Sequence, residues 1–143
     1  MRLWLHYLIV SIVAGMLHFV WEWLHIPLYN NYDVLGSGWE LTLWATAGDV
    51  LYTLLILALV ALIRGDPHWI QQPKENEYLA AGLLGGLVAC MVEYKALAFH
   101  RWAYAAAMPI VPVLGIGLSP LLQMILLTPA ALYIATKLRV YSV

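Results

Sequence analysis

His18, Glu22 and His25 stand at i, i+4 and i+7 in the run His18-Phe-Val-Trp-Glu22-Trp-Leu-His25. On a helix that spacing puts two imidazoles and a carboxylate on one face. Such a set can hold and pass protons or ligate a metal. The surrounding residues are apolar for long enough to cross a membrane. An ionisable group in hydrocarbon costs at least about 2.5–3.5 kcal/mol on insertion scales, so this face must turn toward other helices or water.

Two further carboxylates sit in similar apolar runs. Asp49 lies in a row with Thr42, Thr46 and Thr53, whose hydroxyls can hydrogen-bond it, and Glu93 lies in a row with Gly86, Cys90, Leu97 and His100. Ser119 and Gln123 are one helical turn apart. Lys95 falls about 200° round the helix from Glu93, so it snorkels outward and is no internal counter-ion. A carboxyl group cut off from water and cations holds its proton, which suits it to proton transfer. Glu22 or Glu93 is the expected acid, with His18 orienting or recharging Glu22. Asp49 stabilises a cation or takes a second proton. Trp21, Trp44 and Tyr52 offer ring faces to positive charge, and His25, His100 and Gln123 complete the expected pocket wall.

The elements that carry these groups are legible in the composition. The chain of 143 residues is 64% hydrophobic and only 10% charged, with a mean hydropathy of +0.81; soluble domains carry about 25% charged residues. This predicts an all-α, multi-pass integral membrane protein. The apolar content divides into four spans at about residues 3–26, 38–63, 77–99 and 119–138, each near the roughly 20 residues that a bilayer requires. One domain of four bundled helices is expected.

Pro27 ends the first span, and Ser37 with Glu40 has the capping-box pattern before the second. Residues 64–76 read as a hydrophilic loop in water. Gly82 and Gly86 have the small-xxx-small spacing that admits a close helix neighbour. Residues 100–117 are broken by Pro109, Pro112, Gly115 and Gly117 yet too apolar for an ordinary loop, which predicts a partly buried lid or re-entrant segment. Ser119-Pro120 reads as an N-cap with proline after it, and Pro129 as a kink in the fourth helix. The apolar start is read as the first membrane helix rather than a signal peptide, since no small-residue cleavage pattern follows.

Arg2, Arg64, Lys74, Lys137 and Arg139 fall on one side against Lys95 and Arg101 on the other, which predicts both termini in the cytoplasm. Trp21, Trp23, Tyr29, Trp39, Trp102 and Tyr104 form the expected aromatic belt at the far interface, with Trp4, Trp69 and Tyr78 at the near one. The net charge of −1 and scattered basic residues exclude a nucleic-acid binder. The single Cys90 excludes an intrachain disulfide and a cysteine metal cage.

The stretch Gly15-Met-Leu-His18-Phe-Val-Trp-Glu22-Trp resembles the His-x-x-x-Glu helix of the emopamil-binding-protein-like membrane proteins, the family of the sterol Δ8–Δ7 isomerase and the sigma-2 receptor. Asp49 and Glu93 stand where that family has an acidic residue on each of the next two helices, and Gln123 followed by Pro129 is similar to its fourth-helix Asn and later Pro. Gln for Asn, Leu126 for a Trp and Asp49 for a Glu are departures. The resemblance implies a four-helix bundle around a lipophilic pocket, in which acidic residues protonate one carbon of an alkene and deprotonate another.

The leading expectation is an intramembrane pocket for a sterol-like or isoprenoid lipid, with proton-transfer isomerisation or cyclisation and no cofactor. A metal or haem site built from His18, Glu22, His25 and His100 is the second. A small accessory subunit of a larger membrane complex is the third, and a homodimer is compatible with any of them.

Overall fold

The computed structural model describes residues 2–30 and 38–140. Four helices make up the bundle: α1 (Leu3–His25), α2 (Gly38–Arg64), α3 (Glu75–Ala98) and α4 (Leu118–Val140). All four are long and apolar enough to cross a membrane. By length and composition this is a multi-pass membrane protein. The expected cap at Ser37 lies outside the described residues.

Each helix separates its residues as a membrane bundle requires. On α1, Trp4, Leu8, Ile12, Met16, Val20 and Trp23 are exposed, while His6, Val10, Val13, Ala14, His18, Glu22 and His25 are buried. The outward stripe is apolar because lipid lies there; the inward stripe carries the ionisable groups because only protein can satisfy them. The helices form a ring in chain order, α1 beside α2 and α4, and α3 beside α4 and α2, with α2 and α3 touching least among neighbours.

The closest seam is α3 against α4. A Cβ on Gly82 would lie 2.9 Å from the Ile125 carbonyl oxygen and one on Gly86 3.0 Å from Ile125 Cγ1, while one on Gly85 would overlap the Met124 carbonyl. The glycine stripe serves packing within the chain. Pro129 sits inside α4 and has no N–H to give the Ile125 carbonyl one turn back. That carbonyl is the one facing Gly82.

The end that holds residues 64–76 is filled. α2 ends in a Schellman turn with Gly65 at φ +66°, where Gly65 N donates to the Leu62 carbonyl (3.2 Å) and Asp66 N to the Ala61 carbonyl (3.2 Å). The loop is not wholly in water as the sequence predicts. Its 3-10 turn Trp69–Gln71 pushes Trp69 and Ile70 into the bundle, where they join Val10, Ile56, Leu57, Val60 and Leu132. Trp69, 2% exposed, therefore leaves the expected near-side belt for the core. Beside it Glu77 pairs with Arg64 and accepts the Lys74 backbone N–H at 2.6 Å, holding the end of α2 to the start of α3.

At the other end α1 runs into a 3-10 turn, Ile26–Leu28, where Pro27 ends the α-helix as expected. A two-residue strand, β1 (Tyr29–Asn30), follows and pairs antiparallel with β2 (Ala103–Tyr104), with Tyr29 opposite Tyr104. An otherwise all-α chain thus pins residues 99–117 across the bundle. Met108 and Ile116 anchor this strap by burial, Val111 N donates to the Ile116 carbonyl at 2.9 Å, and Tyr94 Oη donates to the Leu114 carbonyl at 2.6 Å.

Candidate functional site

Under the strap the four inward stripes meet. Near the end of α1, Glu22 turns one carboxylate oxygen to His25 Nε2 (3.0 Å) and receives the Gln123 side-chain amide on the other (2.9 Å). The same Gln123 nitrogen reaches Asp49 Oδ2 on α2 at 2.8 Å and lies 3.1 Å from His18 Nδ1. An amide nitrogen has two hydrogens, so these three acceptors compete for two donors. His18 is also 3.6 Å from Asp49 Oδ2 and meets Thr53 Oγ1 through Nε2 at 3.2 Å. Gln123, from the second turn of α4, is thus the hub that joins α1, α2 and α4.

Glu93 of α3 has a different set of partners. Trp102 Nε1 donates to its Oε2 at 3.3 Å and the Tyr104 hydroxyl makes a short bond to the same oxygen. Both donors come from the strap. Burial, and the Glu93 carboxylate that its hydroxyl meets, push Tyr104 well above the ordinary phenol range, so it stays a donor at neutral pH. Tyr29 roofs the space between the two groups, with its ring 5.2 Å from His25, 6.1 Å from Trp102 and 5.7 Å from Tyr104. Edge-on contacts at these separations are favourable for aromatic rings.

Between these groups lies a cavity of about 500 Å³. Glu22, Asp49, Glu93 and Gln123 reach its wall together, and Leu41, Trp44, Tyr52, Val88, Val92 and Met124 supply most of the apolar remainder. Most of the lining comes from α2 and α3, the least tightly packed neighbours, and Trp44 at 78% exposure stands at the outer edge of that seam. Arg101, itself exposed, is also one of the lining residues.

The sequence expectations divide cleanly. Glu22, Asp49, Glu93, His25, Trp44, Tyr52 and Gln123 line the cavity. His18 is fully buried behind it and bonds Thr53 and Gln123, so the Glu22 partner on α1 is His25 rather than His18. Trp21 is off the wall and donates to Ser119 Oγ at 3.2 Å. His100 is exposed and takes no part. It holds the left-handed position (φ +51°) of the turn that ends α3, where His100 N donates to the Leu97 carbonyl (3.2 Å) and Arg101 N to the Ala96 carbonyl (2.9 Å). Among the described residues no three His, Cys, Asp or Glu side chains gather in a way that holds a metal ion.

The threonine row does not serve Asp49 either. Thr53 goes to His18, Thr42 turns back to the Gly38 carbonyl at 2.8 Å, and Asp49 takes Gln123. Ser119 is inside α4 rather than its cap, and its hydroxyl is used by Trp21 and by His25 Nδ1 (3.0 Å). Trp102 and Tyr104 as partners of Glu93 were out of reach of helical periodicity, since they come from an irregular segment; two aromatics with N–H and O–H groups just after a carboxylate-bearing helix were the available signal.

Compared with known proteins, the chain matches no family model, no curated protein and no solved structure.

Proposed function

We propose that the cavity takes an unsaturated sterol-like or isoprenoid lipid and moves its double bond, or closes a ring, by proton transfer. The observation that carries this reading is the meeting of Glu22, Asp49, Glu93 and Gln123 on the wall of one largely apolar cavity. Its volume lies within the range of about 300–1,000 Å³ usual for small-molecule sites. The positions of His18, Glu22, Asp49, Glu93 and Gln123 on four successive helices also support a distant relation to the emopamil-binding-protein-like proteins.

The chemistry divides between the two carboxyl groupings. Glu22 and Asp49 share one amide as donor and have no lysine or arginine partner among the described residues, so one of them carrying a proton relieves two like charges in contact with the same group. That proton goes to an alkene carbon. The C=C pair forms the new C–H bond and leaves a carbocation at the adjacent carbon. Glu93, which accepts from two donors on one oxygen, has the role of stabilising the cation and taking a proton from the neighbouring carbon. The C–H pair then becomes the displaced double bond. In a cyclisation a second C=C attacks the cation before that proton leaves. Trp44, Tyr52 and Trp102 offer ring faces to the positive charge.

The test is turnover of a panel of unsaturated sterols and isoprenoids by the purified protein in lipid nanodiscs made up in D₂O. Product with a shifted double bond and deuterium at the protonated carbon supports the reading; tight binding with no product makes the cavity a lipid-binding site only. Both termini and residues 64–76 belong on the cytoplasmic side in this proposal, from the distribution of Lys and Arg. Cysteine labelling from each face of sealed vesicles checks it, and labelling of the termini and that loop from opposite faces overturns it.

A further inference from the structure

Glu22 is tied to more than the cavity. Its Oε2 meets His25 Nε2 at 3.0 Å, His25 Nδ1 meets Ser119 Oγ at 3.0 Å, and Ser119 Oγ accepts Trp21 Nε1–H at 3.2 Å. His25 is 5% exposed, but Ser119 and Trp21 are half-buried, and neither of these two belongs to the cavity wall. The chain of contacts therefore leaves Glu22 through His25, itself part of the cavity wall, and reaches a half-buried serine outside that wall at the start of α4.

The donors and acceptors along this chain allow two arrangements. Indole N–H only donates, so Ser119 Oγ is an acceptor toward Trp21 and keeps its own O–H free to rotate. With Glu22 ionised, Ser119 O–H donates to His25 Nδ1 and His25 Nε2–H donates to Glu22. With Glu22 protonated, Glu22 O–H donates to His25 Nε2 and His25 Nδ1–H donates to Ser119 Oγ. The same heavy-atom positions satisfy both arrangements.

From this we infer that His25 and Ser119 form a proton-reloading route to Glu22 that is entered at Ser119, outside the cavity wall. The step balances. Ser119 gives its hydroxyl proton to His25 Nδ1 and takes one from water, His25 passes its Nε2 proton to Glu22, and the net change is one proton held by Glu22, one hydroxide left in bulk water and His25 left as its Nδ1–H tautomer. The other groups facing Glu22 are Gln123 from α4 and Asp49 from α2, with Glu93 of α3 on the same cavity wall. Those three line the cavity as His25 does, but none of them is bonded to Ser119. His25 takes a proton on one ring nitrogen, releases it from the other, and leads to a group outside the cavity wall. A site so arranged can be recharged while a lipid fills the cavity. The route gains its use from the proposed chemistry, but its existence is measurable without any substrate.

The experiment is infrared spectroscopy of the purified protein in nanodiscs, with no ligand, after transfer from H₂O to D₂O. The protonated-carboxyl band that disappears in Glu22→Gln reports Glu22. In the unmodified protein this band moves quickly to its deuterated position. In Ser119→Ala exchange slows by about a hundredfold, the lower end of what a positioned proton-transfer group contributes, and Ser119→Thr restores it. His25→Phe should slow exchange at least as much. If that variant does not fold, the Ser119 pair decides alone. Equal exchange in Ser119→Ala and the unmodified protein, or no Glu22 band at any pH at which the fold persists, overturns the route. Exchange that depends on Ser119 while Glu22→Gln leaves turnover intact keeps the route and discards Glu22 as donor; the converse keeps the chemistry and discards the route.

Discussion

The two ends of this bundle meet the same problem, how to finish four helices that hydrocarbon surrounds, and solve it differently. At the Arg64–Glu77 end the connecting loop is turned inward, Trp69 and Ile70 fill the space, and the charges pair at the rim. At the other end the strap lies across the top and leaves a cavity walled by carboxyl groups. Even the helix ends differ: glycine takes the left-handed position after α2, histidine the same position after α3. Filling one end with apolar side chains stabilises the bundle, so the opposite end can tolerate unfilled space and competing acceptors.

If that division holds, substitutions at the two ends must fail in different ways. The largest effect is expected at the cavity. Glu22→Gln keeps the shape of the side chain, so the melting temperature should persist while turnover falls by about 10²–10⁴-fold. Steady-state kinetics beside a thermal melt checks this, and near-normal turnover removes Glu22 from the chemistry. Next comes the packed seam. Gly85→Ala forces a methyl group against the Met124 carbonyl and should cost about 1–3 kcal/mol, the usual penalty for overpacking, lowering the melting temperature with any activity loss following the unfolded fraction. A Gly85→Ala variant that melts normally shows the α3–α4 seam to be looser than described.

Smaller effects sharpen the contrast at the strap. Tyr104 has its folded-state pKa raised, so the folded protein holds that proton more tightly than the unfolded chain. The associated stability is present below the ordinary phenol pKa of about 10 and is lost as pH rises beyond it toward the folded value. Melting curves across that range should steepen their decline in the unmodified protein relative to Tyr104→Phe; parallel curves would detach Tyr104 from Glu93. The smallest change is His100→Gly. A left-handed non-glycine residue costs about 1–2 kcal/mol, and glycine gives back roughly 0.5–1 kcal/mol through the unfolded chain. A net gain of about 1 kcal/mol or less in stability is expected, with turnover unchanged, and loss of turnover would return His100 to the site.

What the sequence made legible follows from where period and composition rule. The four spans, and the inward faces holding Glu22, Asp49, Glu93 and Gln123, are set by lipid on the outside and by a 3.6-residue repeat. That combination leaves little freedom. The partners of those groups were less legible because several lie on elements without a repeat. His18 and His25 are equally placed to serve Glu22 on helical spacing, and only Gln123 and Thr53 drawing His18 away decide the matter. Trp69 reads as an interfacial aromatic until the 3-10 turn that buries it is known, and His100 reads as a ligand until the turn that uses its backbone is known. Charge counts and periods speak for helices, and the loops answer to packing at the ends.

Gly82 and Pro129 carry a consequence for how this fold drifts over generations. The proline leaves a carbonyl at Ile125 without its usual donor, and the glycine lets α3 close upon that carbonyl. A lineage that replaces Gly82 with a larger residue gains a clash at an oxygen already short of a partner. A lineage that replaces Pro129 restores the donor but alters the path of α4 that the glycine fits. A change at either position is therefore expected to call for a change at the other.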